Sequence, residues 1–207
     1  MNAKPLVHGL EAMLPKAQIS YDLPSRLADR LTGEELDLAL VPSIELADHP
    51  DWQIVSDACI GCEGPVMSVK LLFRVVPRQV RSLALDEGSR TSAALAQILL
   101  HEIHQIRPQL ERFAIGTDLA STDADAVLLI GDRAIDVDSD SFAEVWDLGE
   151  LWCRQTKLPF DFALWVARSG IESAALEQTL EITRDQGCLH IDQIARQQSR
   201  MMGLDHK

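Results

Sequence analysis

The stretch Leu83-Ala84-Leu85-Asp86-Glu87-Gly88-Ser89-Arg90-Thr91-Ser92-Ala93-Ala94-Leu95 sets the fold class, because it passes from a strand through a glycine-bearing polar loop into a helix. Residues 80–85 read as strand, and residues 93–104 carry apolar side chains at helical spacing. Backbone N–H groups at such a helix start converge on one point, and the helix dipole adds about 0.3–1 kcal/mol for an anion at an exposed site. The hydroxyls of Ser89, Thr91 and Ser92 add donors to that point. A plain Ser or Thr helix cap is the simpler reading, although three hydroxyls exceed what a cap requires. Arg90 either completes a carboxylate clamp or sits as a solvated surface side chain.

The same alternation extends in both directions. Toward the N terminus, residues 7–14 read as a short helix with Pro5 near its first turn, and residues 18–23 alternate like a strand. A helix then runs to Gly33 with Ser25 as its N-cap, and an apolar strand at 36–41 ends at Pro42-Ser43. Residues 54–60 and 65–75 read as strands, the second carrying V-x-S-V at 66–69. Toward the C terminus, residues 126–130 form a buried strand closed by Gly131-Asp132, and residues 140–156 are helical in part. A strand at 160–167 follows the Leu158-Pro159 break, and helices at 172–186 and 191–201 end before Gly187 and Gly203. Strands alternating with helices predict an α/β protein with mainly parallel sheets.

Composition narrows the function. With 207 residues, 46% of them hydrophobic and 25% charged, the chain buries a substantial core. Its 32 acids against 19 bases give a net charge of −13, which excludes a broad phosphate-tracking surface and makes nucleic acid a poor partner. A local anion site remains compatible, since distant charge is screened within about 8–10 Å. No apolar run reaches membrane-spanning length and the start lacks a leader-like pattern, so no membrane partner and a cytoplasmic location are expected. The four cysteines are expected to be reduced.

Several motifs are negative. Cys59-Ile60-Gly61-Cys62 has no second CxxC and no matched histidine pair, so no metal site is expected, and Cys62 reads as a small core residue with ligand contact left open. His101-Glu102-Ile103-His104 falls one residue short of H-E-x-x-H and reads as a solvated helix face. The acid-rich segment 132–140 lacks EF-hand spacing and reads as a solvated loop. G-x-S-x-G, Walker and G-x-G-x-x-G patterns are missing, which favours a reaction without a cofactor.

Seven motifs recur in a familiar order: N-A-K-P-L at 2–6, V-P-S-I-E at 41–45, G-P-V-M-S-V at 64–69, L-D-E-G-S-R-T-S-A-A-L at 85–95, L-L-I-G-D at 128–132, W-D-L-G-x-x-W at 146–152 and T-x-L-P-F at 156–160. Together they resemble the chorismate dehydratases of the futalosine route to menaquinone across nearly the whole chain. The resemblance implies a two-lobed, type II periplasmic-binding-protein-like fold used as a cofactor-independent hydro-lyase. Its first lobe would comprise residues 1–75 plus 164–207, and its second lobe residues 76–163. Chorismate, the small-molecule partner, would lose its C3 hydrogen and C4 hydroxyl as water, leaving 3-[(1-carboxyvinyl)oxy]benzoate.

Residue by residue, Asn2 matches the family's substrate-facing asparagine and Ser68 its cleft serine; these are the implied catalytic pair. Ser89, Thr91 and Ser92 become a second-lobe carboxylate site, and Ser43 a first-lobe contact. An amide and a hydroxyl hydrogen-bond without acting as base, so the substrate's own enolpyruvyl carboxylate would take the proton. Family members carry an R-I-G-x-V-x-Y-L strand directly before the asparagine, whereas Met1 stands there in this sequence. The expectation is a fold short of its first strand, with two neighbouring strands partly unpaired, and a misassigned start codon as the explanation. Two alternatives share the fold. One is a 1,4-dihydroxy-6-naphthoate synthase-like enzyme, whose loop usually reads P-G-x-x-T-T-A rather than S-R-T-S. The other is a non-catalytic solute-binding protein, which should carry a signal peptide.

Overall fold

The computed structural model describes residues 2–202. A 3-10 turn at Pro5–Val7 and the short helix α1 (Leu10–Met13) open the chain, followed by α2 (Pro24–Thr32), β1 (Leu38–Pro42), α3 (Glu45–Asp48) and β2 (Gln53–Cys62). Next come β3 (Val69–Phe73), β4 (Ser82–Asp86), α4 (Arg90–His104), β5 (Gln109–Phe113), β6 (Ala126–Ile130) and α5 (Asp132–Ile135). The chain finishes with β7 (Glu144–Asp147), α6 (Leu148–Thr156), β8 (Phe160–Ala167), α7 (Ala174–Leu189) and α8 (Ile191–Met202). Two sheets result, one of three strands in the order β1-β8-β2 and one of five in the order β5-β4-β6-β3-β7.

Each sheet is buried on both faces, and the two-residue period of the strands sorts side chains between them. In the five-stranded sheet, Leu71, Phe73, Leu83 and Leu128 meet Leu95, Leu99 and Leu100 of α4 and Leu148 and Leu151 of α6. The intervening Leu72, Ala84, Val127 and Leu129 pack on the opposite face with Phe113 and Ala134. In the three-stranded sheet, Leu40 and Trp165 face Leu6, Leu10 and Leu180, while Ala39, Val41 and Val166 face Ala28 and Leu31 of α2. Leu31, Leu71, Leu83, Leu128 and Leu180 are fully buried, each worth roughly 1.5–3 kcal/mol by transfer arguments.

The expectation of mainly parallel sheets needs correction. The parallel pairs are β4 with β5, which are joined through α4, and β4 with β6. The pairs β1–β8, β2–β8, β3–β6 and β3–β7 are antiparallel. The cause is connectivity: β3 and β8 each link one sheet to the other, and each enters its sheet against the direction of its neighbours. The chain leaves the three-stranded sheet between β2 and β3, and β8 returns to it at Phe160.

Other expectations shift locally. Residues 18–23 form no strand, and β1 is an edge strand with β8 as its neighbour on one side. A strand pattern alone does not make a ladder, because each backbone group needs a partner. The helix expected at 7–14 is interrupted at Gly9, whose φ of +77° is left-handed. Pro24 occupies the first turn of α2 behind N-cap Leu23, so Ser25 is not the cap; its hydroxyl instead donates to Glu87 O at 3.3 Å. Segment 132–140, read as a loop, forms α5 and a 3-10 turn at Ser139–Ser141. α7 runs through Gly187 rather than stopping before it.

Candidate functional site

Register places the end of β1, the start of β8 and the end of β2 at one end of the three-stranded sheet, where Pro42 pairs with Ala163 and Gly61 with Asp161. In the other sheet, the end of β4, the end of β6 and the start of β3 share one end, with Val69 opposite Ile130. The two ends meet, since Ser43 and Ile44 after β1 touch Thr91 at the start of α4. Crevices at strand ends where the chain switches direction are the usual ligand sites of α/β sheets.

Asn2 and Ser68, 66 residues apart, are brought together: Asn2 Nδ2 donates to Ser68 Oγ at 3.2 Å. Ser68 is 5% exposed and sits between the positive-φ Met67 and the first residue of β3. Because its oxygen accepts the amide proton, its own hydroxyl proton is free to be donated elsewhere. Asn2 also lines a cavity of about 280 Å³ with Cys59, Gly61, Cys62, Pro65 and Val66.

The hydroxyls expected to form one carboxylate clamp are divided by the structure. Ser89 is the N-cap of α4, accepting the Ser92 N–H at 3.2 Å with the two Oγ atoms 2.9 Å apart. Thr91 and Ser92 are buried. Thr91 Oγ1 accepts the Ile44 N–H at 3.2 Å and lies 3.4 Å from Ser43 Oγ, which donates to Asp161 O at 2.6 Å. The simple cap therefore describes Ser89 and Ser92, while Thr91 and Ser43 join the two sheets. Arg90, whose side chain stays 41% exposed, bridges Asp29 of α2 at 2.6 Å and the buried Glu45 of α3 at 3.0 Å, and with Ser89 it lines a second cavity of about 480 Å³. The hydrogen bond to Asp29, followed by that to Glu45, holds its pKa above the ordinary arginine value.

The CxxC cysteines flank the cavity. Burial, then a hydrogen bond to Asp161, pushes the Cys59 thiol up to about 11; burial, then the neighbouring Cys153, pushes Cys62 up to about 11 as well. Both are uncharged at neutral pH, and the cavity wall they form is neutral. Cys59 Sγ donates to Asp161 Oδ1 at 3.3 Å. Among the described residues no group of three or more His, Cys, Asp or Glu is placed to hold a metal ion, and no helix is long and apolar enough to cross a membrane. His104, read as solvated, stacks on Trp146 with ring centroids 5.6 Å apart.

A pH dependence follows. A thiol whose folded pKa exceeds its unfolded value of about 9 stabilises the native state below that value and loses the contribution as pH rises toward 11. Equilibrium unfolding by urea is expected to show falling stability between pH 9 and about 11, and less so in Cys59→Ala/Cys62→Ala. Iodoacetamide at pH 8 should label the exposed Cys188 first, as read by mass spectrometry of peptides.

Sequence reasoning missed Asp147, Gly149 and Gly131, which support the Ser68 loop from behind. Their signals were present in W-D-L-G and L-L-I-G-D, where Asp147 three residues before Glu150 matches a helix N-cap pattern.

With this geometry in place, comparison with known proteins is informative. A family described as menaquinone biosynthesis matches residues 1–207. The chorismate dehydratase of Thermus thermophilus is 33% identical over 98% of this chain and 80% of that protein. Among solved structures, a protein of Archaeoglobus fulgidus has a TM-score of 0.69 at 17% identity, covering 99% of this chain and 80% of that one. The periplasmic aliphatic sulphonate binding protein of Escherichia coli has a TM-score of 0.62 at 15% identity, covering 95% and 68%. These two likenesses establish a two-lobed, periplasmic-binding-protein-like α/β fold. Taken with the full-length family match, the relative from Thermus places this chain in the chorismate dehydratase family of menaquinone biosynthesis.

Proposed function

We propose that the protein is a cytoplasmic hydro-lyase that converts chorismate into 3-[(1-carboxyvinyl)oxy]benzoate and water. The observation that carries this reading is the Asn2–Ser68 hydrogen bond beside a cavity whose cysteine walls are uncharged. The cavity of about 280 Å³ lies at the small end of ligand pockets, so chorismate enters as the lobes part at the Ser43–Thr91 contact.

In the proposed reaction the C3–H bond breaks, its electron pair forms the new ring double bond, and the C4 hydroxyl departs with a proton as water. The enolpyruvyl carboxylate of the substrate accepts the C3 proton and passes it to the departing C4 hydroxyl, which leaves as water and returns the carboxylate to its charged form. Ser68, whose oxygen is held by Asn2, donates its hydroxyl proton in a hydrogen bond to the leaving oxygen or to a substrate carboxylate. Aromatisation supplies the driving force, and the protein supplies orientation. Ser43, Thr91, Ser89 and Ser92 hold the opposite wall. Separation of Ser43 from Thr91 exposes two hydroxyls to a carboxylate, whereas Ser89 and Ser92 keep the start of α4 in place.

The test incubates the protein with chorismate and follows a product lighter by one water, by mass and ultraviolet absorbance. Ser68→Ala and Asn2→Ala are each expected to lower kcat/KM between about 10- and 100-fold, the value of a hydrogen bond to a charged or developing-charge group. Binding without loss of water would make the chain a solute-binding protein instead. No binding at all would remove chorismate as the substrate.

A further inference from the structure

Ser68 does not sit on regular structure. It follows Met67, a non-glycine residue at φ +60°, and its own N–H turns back to Val66 O at 2.6 Å. A loop in that sparsely populated conformation keeps its shape only when its surroundings fix it. Asp147 at the end of β7 does so. Its two carboxylate oxygens each accept the Val66 N–H at 3.1 Å, and Oδ2 accepts the Met67 N–H at 2.6 Å. Oδ1 also accepts the Glu150 N–H at 3.0 Å, capping α6.

The neighbouring glycines shape the same cradle. A Cβ on Gly149 would lie 2.6 Å from Cys62 Sγ, 2.8 Å from Gly64 O and 3.1 Å from Val66 Cβ, so the first turn of α6 presses directly on the loop. On the other side, Gly131 N–H donates to Ser68 O at 2.8 Å. From these contacts we infer that Asp147 is the positioning residue for Ser68, fixing the Val66–Met67 turn so that the hydroxyl meets Asn2. The inference rests on the reading of Ser68 as a site residue. Asp147 itself is not among the residues lining the cavity and acts through the backbone it holds. Hydrogen bonds to a carboxylate are roughly twice as strong as neutral ones, which suits a group that must hold a strained turn.

Asp147→Ser separates this role from helix capping. A serine still caps α6 through the Glu150 N–H, but its single short hydroxyl cannot also span Val66 and Met67. Turnover of chorismate is expected to fall between about 10- and 100-fold, mostly in kcat, because a misplacement near 1 Å is enough for that loss. The double variant Ser68→Ala/Asp147→Ser should be no slower than Ser68→Ala alone, since both remove the same interaction. Asp147→Asn, which keeps one acceptor oxygen, should recover part of the rate; it also serves as the test variant if Asp147→Ser does not fold. Wild-type turnover in the Asp147 variants beside a slow Ser68→Ala would overturn the inference, as would losses that multiply in the double variant. Wild-type turnover in Ser68→Ala would instead remove the reading of Ser68 on which the inference stands.

Discussion

Gly187→Ala is expected to cost about 3 kcal/mol of stability and to lower the turnover of the fraction that still folds. A Cβ at this position would overlap Pro5 O and lie 2.6 Å from both Pro5 C and Pro5 Cα. All three are backbone atoms, so no rotamer change relieves the clash, and the whole Pro5–Val7 turn has to lift off α7. Leu6 and Leu10 then lose their packing against Leu180 and Trp165. The same movement reaches function, because Asn2 lies three residues before Pro5 and its 3.2 Å bond to Ser68 has no slack for a shift near 1 Å. Urea unfolding and kcat/KM for chorismate read the two effects separately. Wild-type stability in this variant would mean that α7 does not seat the N-terminal turn as described.

Gly187 also shows where the fold was legible and where it was not. A glycine after an amphipathic stretch reads as a helix end, and the expectation of a stop before residue 187 was reasonable on local grounds. The reason for glycine there is a chain segment more than 180 positions away, and no local pattern reveals a backbone approach of that kind. The strands at 126–130 and 160–167 were read to the residue, because continuous apolar runs bounded by Gly or Pro carry their own signal. By contrast β5 passed unnoticed: its sequence QLERF places four of five residues on an exposed edge, where burial imposes no alternation. Residues 18–23 erred in the opposite direction, with an alternating pattern but no ladder partner.

The candidate site divides in the same way. That Asn2 and Ser68 belong together came from motif resemblance, and the 3.2 Å contact gives that pairing a physical form. The loop at 86–92 was legible as a helix start but not in its use. Its hydroxyls are as suited to bonding each other and Ile44 as to bonding a ligand, and sequence spacing does not distinguish partners within a loop from partners across a cleft. Arg90 illustrates the point most clearly, since its two carboxylate partners lie 61 and 45 residues upstream, on separate helices.

Arg133→Ala carries the other large effect, an expected loss of about 3–5 kcal/mol, because it leaves a carboxylate buried without its counter-ion. The side chain of Asp86 is wholly inaccessible; Oδ2 accepts from Arg133 and Oδ1 accepts the Gly88 N–H at 2.9 Å. Arg133 is itself 30% exposed, lies over the Phe113 ring at 5.6 Å and donates to Thr117 O. The two truncations are therefore unequal. In Asp86→Ala the guanidinium keeps partial access to water, whereas in Arg133→Ala the anion has none. Removing both should be less costly than Arg133→Ala alone, since no unpaired charge then stays inside. Urea unfolding of the two single variants and the double completes the cycle. Equal losses in both singles that simply add would show that the pair is not coupled and that some other contact holds the 86–92 loop. The order expected instead ties the loop that opens α4, and with it Thr91 and Arg90, to the pairing of the buried Asp86 with Arg133.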